Sequence, residues 1–203
     1  VLIDIPKDIL NQKSDWIEPG PLELPGYKPT LDPNPKMIQQ AANLIKNSKK
    51  PILYVGGGII HSKANKELFD LATKFNIPVV TTLMGRGAFP DGHELCLEMP
   101  GMHGNYTATT SIQKSDLLIA IGVRFDDRVT ANPSFFAQNA KVIHADIDPA
   151  EIGKVREAQV PIVGDAKSVI LGLIDALQDE ELDTKNWINE LNSMKTEHPL
   201  SYN

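Results

Sequence analysis

Short apolar runs alternate with amphipathic helical patterns along most of this chain of 203 residues. The runs lie at residues 51–55, 78–83, 117–123, 141–147 and 160–163. Each run is continuously apolar or nearly so, which is typical of strands buried on both faces. Strands of this kind that alternate with helices form a parallel sheet with right-handed crossovers. The sequence therefore predicts an α/β fold with a parallel sheet and helices on both faces.

Capping residues place the starts of several of these helices. Asn34 precedes a proline at the first helical position, and Asp165 precedes a run with apolar residues at helical spacing. Ser62 is expected to cap another helix in the same way. Further helices are predicted at residues 105–114 and around Trp187.

The two ends of the chain do not fit this alternation. Residues 1–6 are rich in β-branched apolar side chains and predict a buried strand that is closed by a proline. Prolines cluster between residues 19 and 35, which excludes a helix or a central strand there and favours a stiff connector. A loop wrapped over one domain is the alternative for that stretch. We expect both ends to be edges of a larger protein.

Composition narrows the class of function. The net charge of -6 argues against non-specific nucleic-acid binding, which requires many basic contacts to phosphate. A single cysteine, Cys96, cannot form an internal disulfide or a cysteine-rich zinc site, and it fits a reducing compartment. No apolar run approaches the roughly 20 residues of a membrane helix. The five histidines show no metal-ligand spacing, so we expect no metal site.

The first two strands are followed by glycine-containing turns. In doubly wound, Rossmann-like sheets, ligands bind outside the carboxyl ends of the strands. Residues 56–58 are three glycines, but His61 stands where the third glycine of a dinucleotide fingerprint belongs. A ligand contact and a simple tight turn are equally compatible with this sequence. For residues 82–87, after the second strand, an ordinary loop is the favoured interpretation.

A charged cluster follows the third strand. Arg124 and Arg128 bracket Asp126 and Asp127. Arginine binds pyrophosphate in bidentate fashion, while the carboxylates can hold the arginines in place or accept from ribose hydroxyls. A self-neutralising surface cluster is the alternative. The position after the central strand favours a functional role.

The remaining loops add acids, thioethers and a histidine. Asp146 follows the fourth strand and resembles the ribose-binding acid of dinucleotide sites, whereas Asp148 is assigned to a helix cap. Residues 99–104 combine two methionines, two glycines and His103, and Asp165 follows the fifth strand. Together these loops predict a crevice for a long phosphate-containing ligand such as a dinucleotide. No nucleophile–base pair stands out, so binding without turnover is expected.

These motifs resemble the central domain of acetohydroxyacid synthase catalytic subunits, which are thiamine-diphosphate enzymes of branched-chain amino-acid synthesis. The resemblance covers essentially the whole chain. Its most specific element is Gly-Val-Arg-Phe-Asp-Asp-Arg-Val at residues 122–129, which is similar to the FAD-containing synthases rather than their FAD-free relatives. The other matching stretches are residues 1–8, 56–58, 82–85, 100–104 and 146–154.

The resemblance implies a division of the chain into four parts. Residues 1–10 would be the last strand of a preceding pyrimidine-binding domain, and residues 11–34 a proline-rich linker. Residues 35–180 would form the central FAD-binding domain. Residues 181–203 would be a C-terminal helix and the start of a linker to the diphosphate-binding domain.

The resemblance also implies a cofactor site. FAD would lie in extended form and be mainly structural, with no net redox role. The residues implied to line it are Gly57, Thr82, Leu83, Pro100, Gly101, Met102, His103, Gly122, Val123, Arg124, Phe125, Asp126, Arg128, Asp146, Ile147, Asp165 and Ala166. Two positions depart from the family pattern: Arg86 replaces a hydrophobic residue, and Glu98 replaces a glycine.

The family's activity is a transferase reaction that condenses two pyruvates, or pyruvate and 2-ketobutyrate. Its activating glutamate and its binding site for thiamine diphosphate and Mg²⁺ would lie outside this chain, so the fragment alone is expected to be inactive. The implied partners are the neighbouring domains, further subunits in a homodimer or homotetramer, and a small regulatory subunit. A cytoplasmic location is implied, with neither nucleic acid nor membrane as partner.

Two other functions remain open from the residues themselves. An NAD-binding domain of an oxidoreductase has a similar topology, although its glycine fingerprint is broken here. An NAD-dependent deacylase is excluded in its zinc-containing form by the single cysteine. A partner-binding module without a ligand is the third hypothesis.

Overall fold

The computed structural model describes residues 2–21, 24, 26, 28–178 and 180–199. Five strands form one sheet in the order β2-β1-β3-β4-β5, and all neighbouring strands are parallel. They are β1 Pro51–Val55, β2 Val79–Thr81, β3 Leu117–Ile121, β4 Lys141–Asp146 and β5 Val160–Val163. The predicted α/β class and the parallel sheet are confirmed. The order of the strands changes direction between β1 and β3, which is where ligands bind in such sheets.

Eight helices accompany the sheet in the described part of the chain. They are α1 Lys7–Leu10, α2 Pro35–Asn47, α3 Gly57–His61, α4 Asn65–Lys74, α5 Tyr106–Lys114, α6 Asp127–Thr130, α7 Ala166–Leu177 and α8 Lys185–Glu197. Helices α2, α4 and α7 cover one face of the sheet, and α5 and α8 cover the other. No helix among these is long and apolar enough to cross a membrane.

The two faces have separate hydrophobic cores because side chains alternate along each strand. In β1, Leu53 and Val55 belong to the core beneath α2, α4 and α7. Ile52 and Tyr54 point the other way and share the second core with Trp187 of α8. Helix α8 is therefore part of the packed body of the fold.

The cap predictions have different outcomes. The Asn34 side chain accepts a hydrogen bond from the Lys36 backbone N–H at 2.9 Å, and Asp165 caps α7 in the same way. Ser62 was expected to begin a helix, and that prediction is wrong. The glycine turn after β1 continues directly into α3, so Ser62 lies at the end of that helix and donates to the Ile59 carbonyl at 3.3 Å.

The predicted strand at residues 1–6 is absent from the described residues 2–6, which are exposed and are followed by α1. Val1 lies outside the described residues, as do Pro25 of the predicted linker and residues 200–203. A strand needs a neighbouring strand for its backbone hydrogen bonds, and no described strand lies beside this segment. The four-part division of the chain stays a prediction.

Candidate ligand-binding site

A cavity of about 940 Å³ lies at the carboxyl ends of the strands. This volume is at the upper end of the roughly 300–1,000 Å³ typical of small-molecule and cofactor sites. Its wall includes all the residues implied by the resemblance except Gly101. These are Gly57, Thr82, Leu83, Pro100, Met102, His103, Gly122, Val123, Arg124, Phe125, Asp126, Arg128, Asp146, Ile147, Asp165 and Ala166.

Three glycines, Gly56, Gly58 and Gly122, bring the turns after β1 and β3 into backbone contact. A Cβ on Gly58 would lie 2.7 Å from the Gly122 Cα, and a Cβ on Gly56 would overlap the Gly122 carbonyl. Gly122 also has a φ of +61°, a backbone conformation that residues with a side chain rarely adopt. This glycine contact, as we call the three residues, therefore does more than make a tight turn. It holds the carboxyl ends of β1 and β3 together at the wall of the cavity.

Phe125 anchors the loop that follows β3. Its side chain is 1% exposed, and its ring centroid lies 5.7 Å from that of Tyr54 and 5.0 Å from that of His144. Ala120 is paired with Tyr54 on one side and with His144 on the other, so a small residue leaves room for the ring between them. The backbone of Phe125 has a φ of +52°, an uncommon value for a bulky residue. The neighbouring Arg124 and Asp126 are exposed.

His144 of β4 also holds the loop that follows β3 in place. Its Nε2–H donates to the Val123 carbonyl at 2.8 Å, which leaves Nδ1 as an acceptor. Nδ1 is buried and has no hydrogen-bond partner among the described residues. Burial lowers the pKa of His144, and the Val123 carbonyl and two nearby acids only partly oppose this effect. The imidazole is therefore held neutral inside the fold.

The charged rim of the cavity consists of Arg124, Asp126 and Arg128. One oxygen of Asp126 accepts from the Arg128 backbone N–H at 3.1 Å and caps α6. This bond is the main reason why the pKa of the Asp126 carboxyl lies below its usual range, and the two arginines add to it. The Arg128 guanidinium lies 3.7 Å from Asp126 and 3.5 Å from Asp127 and is 76% exposed. Such exposed pairs contribute only about 0–1 kcal/mol to stability, so stability does not account for the presence of the arginines.

Arg124 forms no salt bridge with any residue that the structure describes. It lines the cavity beside the glycine contact, where an anionic group would meet backbone N–H groups as well. The sequence left a functional and a surface role open for this cluster. The geometry favours the functional one.

Carboxylates line the end of the cavity that is formed by β4 and β5. They are Asp146, Asp148, Glu151 and Asp165. Asp146 accepts from the Asp148 backbone N–H at 2.9 Å, and Asp148 accepts from the Ala150 backbone N–H at 2.9 Å. No helix follows Asp148, so its predicted role as a helix cap is wrong and it caps a turn instead. Carboxylates accept from hydroxyl groups and repel phosphate, so this end suits a sugar diol.

The opposite end of the cavity is apolar and exposed. Leu83, Met84 and Met102 line it and are 70%, 71% and 77% exposed. The Thr82 hydroxyl accepts from the Gly85 backbone N–H at 3.1 Å, which fixes the turn that carries Leu83 and Met84. The loop at residues 82–87, interpreted from the sequence as ordinary, therefore contributes to the wall of the cavity. Thioethers of this kind adapt to a planar aromatic group.

The two departures from the family pattern, and Gly101, lie outside the wall. Arg86 pairs with Asp91 at 2.8 Å and donates to Thr81 at 3.3 Å. Glu98 has a φ of +66°, which gives a physical reason for the glycine usual in the family. Gly101 has a φ of +99°, and a Cβ there would lie 2.7 Å from the Arg128 carbonyl, so it packs the 99–104 loop against α6.

Several residues of the wall were missed from the sequence. They are Tyr54, Gly58, His61, Ser62, Met84, Met99, Val129, Ala145, Asp148, Glu151 and Gly164. Gly58 and Met84 belong to motifs that the sequence singled out. Tyr54 gave no signal, because a tyrosine inside a continuous apolar run is indistinguishable from a core residue. Metal-binding clusters of three or more His, Cys, Asp or Glu are absent from the described residues.

Comparison with known proteins places this geometry in a family. The model of the thiamine pyrophosphate enzyme central domain matches residues 38–173. Acetolactate synthase from Mycobacterium leprae is 53% identical over 206 residues, which cover 100% of this chain and 33% of the relative. The acetolactate synthase large subunit of Corynebacterium glutamicum is 50% identical over 205 residues, with coverage of 100% and 33%.

A plant protein shows the same relation. Acetolactate synthase 1, chloroplastic, from Nicotiana tabacum is 47% identical over 210 residues, which cover 100% of this chain and 31% of the relative. The chain thus spans about a third of the length of the curated relatives it matches.

Proposed function

This chain belongs to the family of thiamine pyrophosphate enzyme central domains, and on that premise we propose that it is the FAD-binding central domain of an acetolactate synthase catalytic subunit. FAD would lie in extended form along the carboxyl edge of the sheet. Its role would be mainly structural, with no net redox role, as the resemblance to the FAD-containing synthases implies.

One observation carries the proposal: a single cavity joins an apolar end, an arginine pair and an acidic end. Each part suits one portion of FAD. Met84 and Met102 offer thioethers to a planar ring, Arg124 and Arg128 offer guanidinium groups to the pyrophosphate, and Asp146 offers a carboxylate to the ribose. The glycine contact supports the same assignment, because it leaves backbone rather than side chain at the point where the pyrophosphate would cross.

The complete enzyme would carry out its reaction with groups that lie outside this chain. We propose that the complete protein is a transferase that condenses two pyruvates, or pyruvate and 2-ketobutyrate, with thiamine diphosphate and Mg²⁺ held by its other domains. Its partners would be further catalytic subunits, in a homodimer or homotetramer, and a small regulatory subunit. The proposed location is the cytoplasm. This proposal is supported by sequence identities of 53% and 50% with acetolactate synthases over the full length of this chain.

Titration of the purified chain with FAD tests the proposal. We expect one FAD per chain, seen as a change in flavin absorbance and fluorescence, and no comparable binding of NAD. The chain alone should form no acetolactate from pyruvate. NAD binding in preference to FAD, or no binding of either, would refute the assignment of the cavity. Acetolactate formation by the chain would refute the assignment of the chemistry to other domains.

A further inference from the structure

The wall of the cavity contains a tyrosine whose hydroxyl forms no hydrogen bond within the described part of the fold. Tyr54 lies in β1, its side chain is 1% exposed, and it lines the cavity. Its hydroxyl makes no hydrogen bond to any residue that the structure describes. The Tyr54 oxygen is not among the buried unpaired atoms of the described side chains, so it is accessible from the cavity that it lines. Tyr54 is therefore a polar group without a partner at the wall of a binding site.

The ring of Tyr54 is held in place independently of its hydroxyl. It belongs to the second hydrophobic core, and its plane is tilted by 56° against the ring of Phe125 at a centroid distance of 5.7 Å. Phe125 stands between Arg124 and Asp126 in the loop that forms the charged rim. The tyrosine is thus fixed next to the loop that offers arginines to an anion.

The protonation of Tyr54 determines what its hydroxyl can do. Burial raises the pKa of this phenol far above its usual value, and the negative charge of Asp126 raises it further. The group is therefore a neutral O–H at every physiological pH. It can donate to an oxygen of a ligand, and a phosphate oxygen is a strong acceptor for such a donor.

We propose that the Tyr54 hydroxyl donates a hydrogen bond to a phosphate oxygen of the dinucleotide in the cavity. This inference rests on the proposed FAD site and adds a residue to it that the motifs did not contain. Tyr54 then serves two purposes through two parts of one side chain: the ring supports Phe125, and the hydroxyl binds the ligand.

The variant Tyr54→Phe tests this directly, because it removes the hydroxyl and keeps the ring. We expect its FAD dissociation constant to rise about 10- to 100-fold, as for the loss of one hydrogen bond to a charged group. Without ligand, its unfolding midpoint should equal that of the wild type, since no hydrogen bond to a described residue is lost. Tyr106→Phe is the matched control, because Tyr106 is 52% exposed and lies outside the wall. That variant should bind FAD like the wild type.

Riboflavin, which carries neither the pyrophosphate nor the adenosine, shows whether the acceptor lies on the flavin or its ribityl chain. Tyr54→Phe should bind riboflavin as the wild type does, so that the loss of affinity is confined to FAD. An equal loss with both ligands would place the acceptor on the flavin or its ribityl chain and overturn the phosphate assignment.

The remaining outcomes separate this inference from the proposed function. If wild type and Tyr54→Phe bind FAD equally well, the tyrosine assignment fails and the FAD site stands. A lower unfolding midpoint for ligand-free Tyr54→Phe, with Tyr106→Phe unchanged, would reveal an internal partner for the hydroxyl and also overturn it. If the wild type binds no FAD, the proposed function fails and the inference fails with it.

Discussion

The glycine contact and the charged rim lie side by side at the cavity and differ in what holds them. Gly56, Gly58 and Gly122 are fixed by backbone against backbone, at distances that leave no room for a side chain. In the rim, Arg124 and Arg128 are exposed, and their charges are screened by water. The two regions therefore have separate roles in the site. The glycine contact maintains the geometry of the sheet edge, and the rim is available to a ligand.

The largest effect is expected at the glycine contact. Gly122→Ala combines a positive φ with a Cβ 2.6 Å from the Gly58 Cα, so the two turns must move apart. We expect the free energy of unfolding, measured with urea, to fall by about 3 kcal/mol, with FAD binding lost.

Gly153→Ala is the matched control, because Gly153 also has a positive φ, of +75°, but nothing lies within 4 Å of its added Cβ. Its cost should be limited to backbone strain, about 1 kcal/mol, and FAD binding should be kept. Equal costs for the two variants would show that the contact between the turns contributes nothing.

The rim is expected to show the opposite pattern. Arg124→Ala should weaken FAD binding about 10-fold or more, because a charge-assisted hydrogen bond to phosphate is lost. Its free energy of unfolding should change by less than about 0.5 kcal/mol, since Arg124 is exposed and forms no salt bridge with a described residue. Titration and urea unfolding of the same sample check both statements. A large loss of stability with FAD affinity unchanged would reverse the roles of rim and contact.

His144 connects the two regions and predicts a pH dependence. Its pKa is lower in the folded chain than in the unfolded chain, so the unfolded chain binds more protons as the pH falls below about 6.5. Stability should therefore be complete above that pH and be lost below it, by at most about 1.4 kcal/mol per pH unit. His144→Gln should be less stable at pH 7.5 and lack this component. Parallel pH profiles of unfolding for the two proteins would contradict the assignment.

The smallest effect is expected at Glu98, at the border of the site. Glu98→Gly removes the strain of a φ of +66° and loses one hydrogen bond, in which Asn105 donates to the Glu98 carboxylate at 3.2 Å. We expect a net gain of about 0.5 kcal/mol in the free energy of unfolding, with FAD affinity unchanged. Thermal unfolding of both proteins measures this. A lower midpoint for the variant would show that the hydrogen bond to Asn105 outweighs the strain.

The sequence predicted the sheet because each strand is a continuous apolar run, a pattern that depends on burial and not on distant contacts. The capping roles of Asp165 and Asn34 were equally predictable, since a cap acts on the residues that follow it directly. Ser62 was assigned wrongly because its role depends on a helix that begins in the glycine turn. Residues 1–6 have the composition of a strand, but composition does not supply a neighbouring strand.

The site was predictable where it follows the ends of strands. Its remaining parts depend on packing between distant segments. That Gly101 faces α6 and not the cavity follows from its contact with the Arg128 carbonyl, far along the chain. Tyr54 could not be recognised as a site residue from the sequence. The loops around it, and not the apolar run that contains it, determine whether its hydroxyl has a partner.

Amide chemical shifts of the isotope-labelled chain during an FAD titration show whether FAD binds along the whole carboxyl edge of the sheet. We expect the largest shifts at the tips of all the strands that border the cavity, including Gly57, Gly122, Arg124, Asp146 and Asp165. Helix α8, which lies outside the wall, should remain unchanged. Shifts confined to one strand tip, or concentrated on α8, would mean that FAD does not bind along this edge.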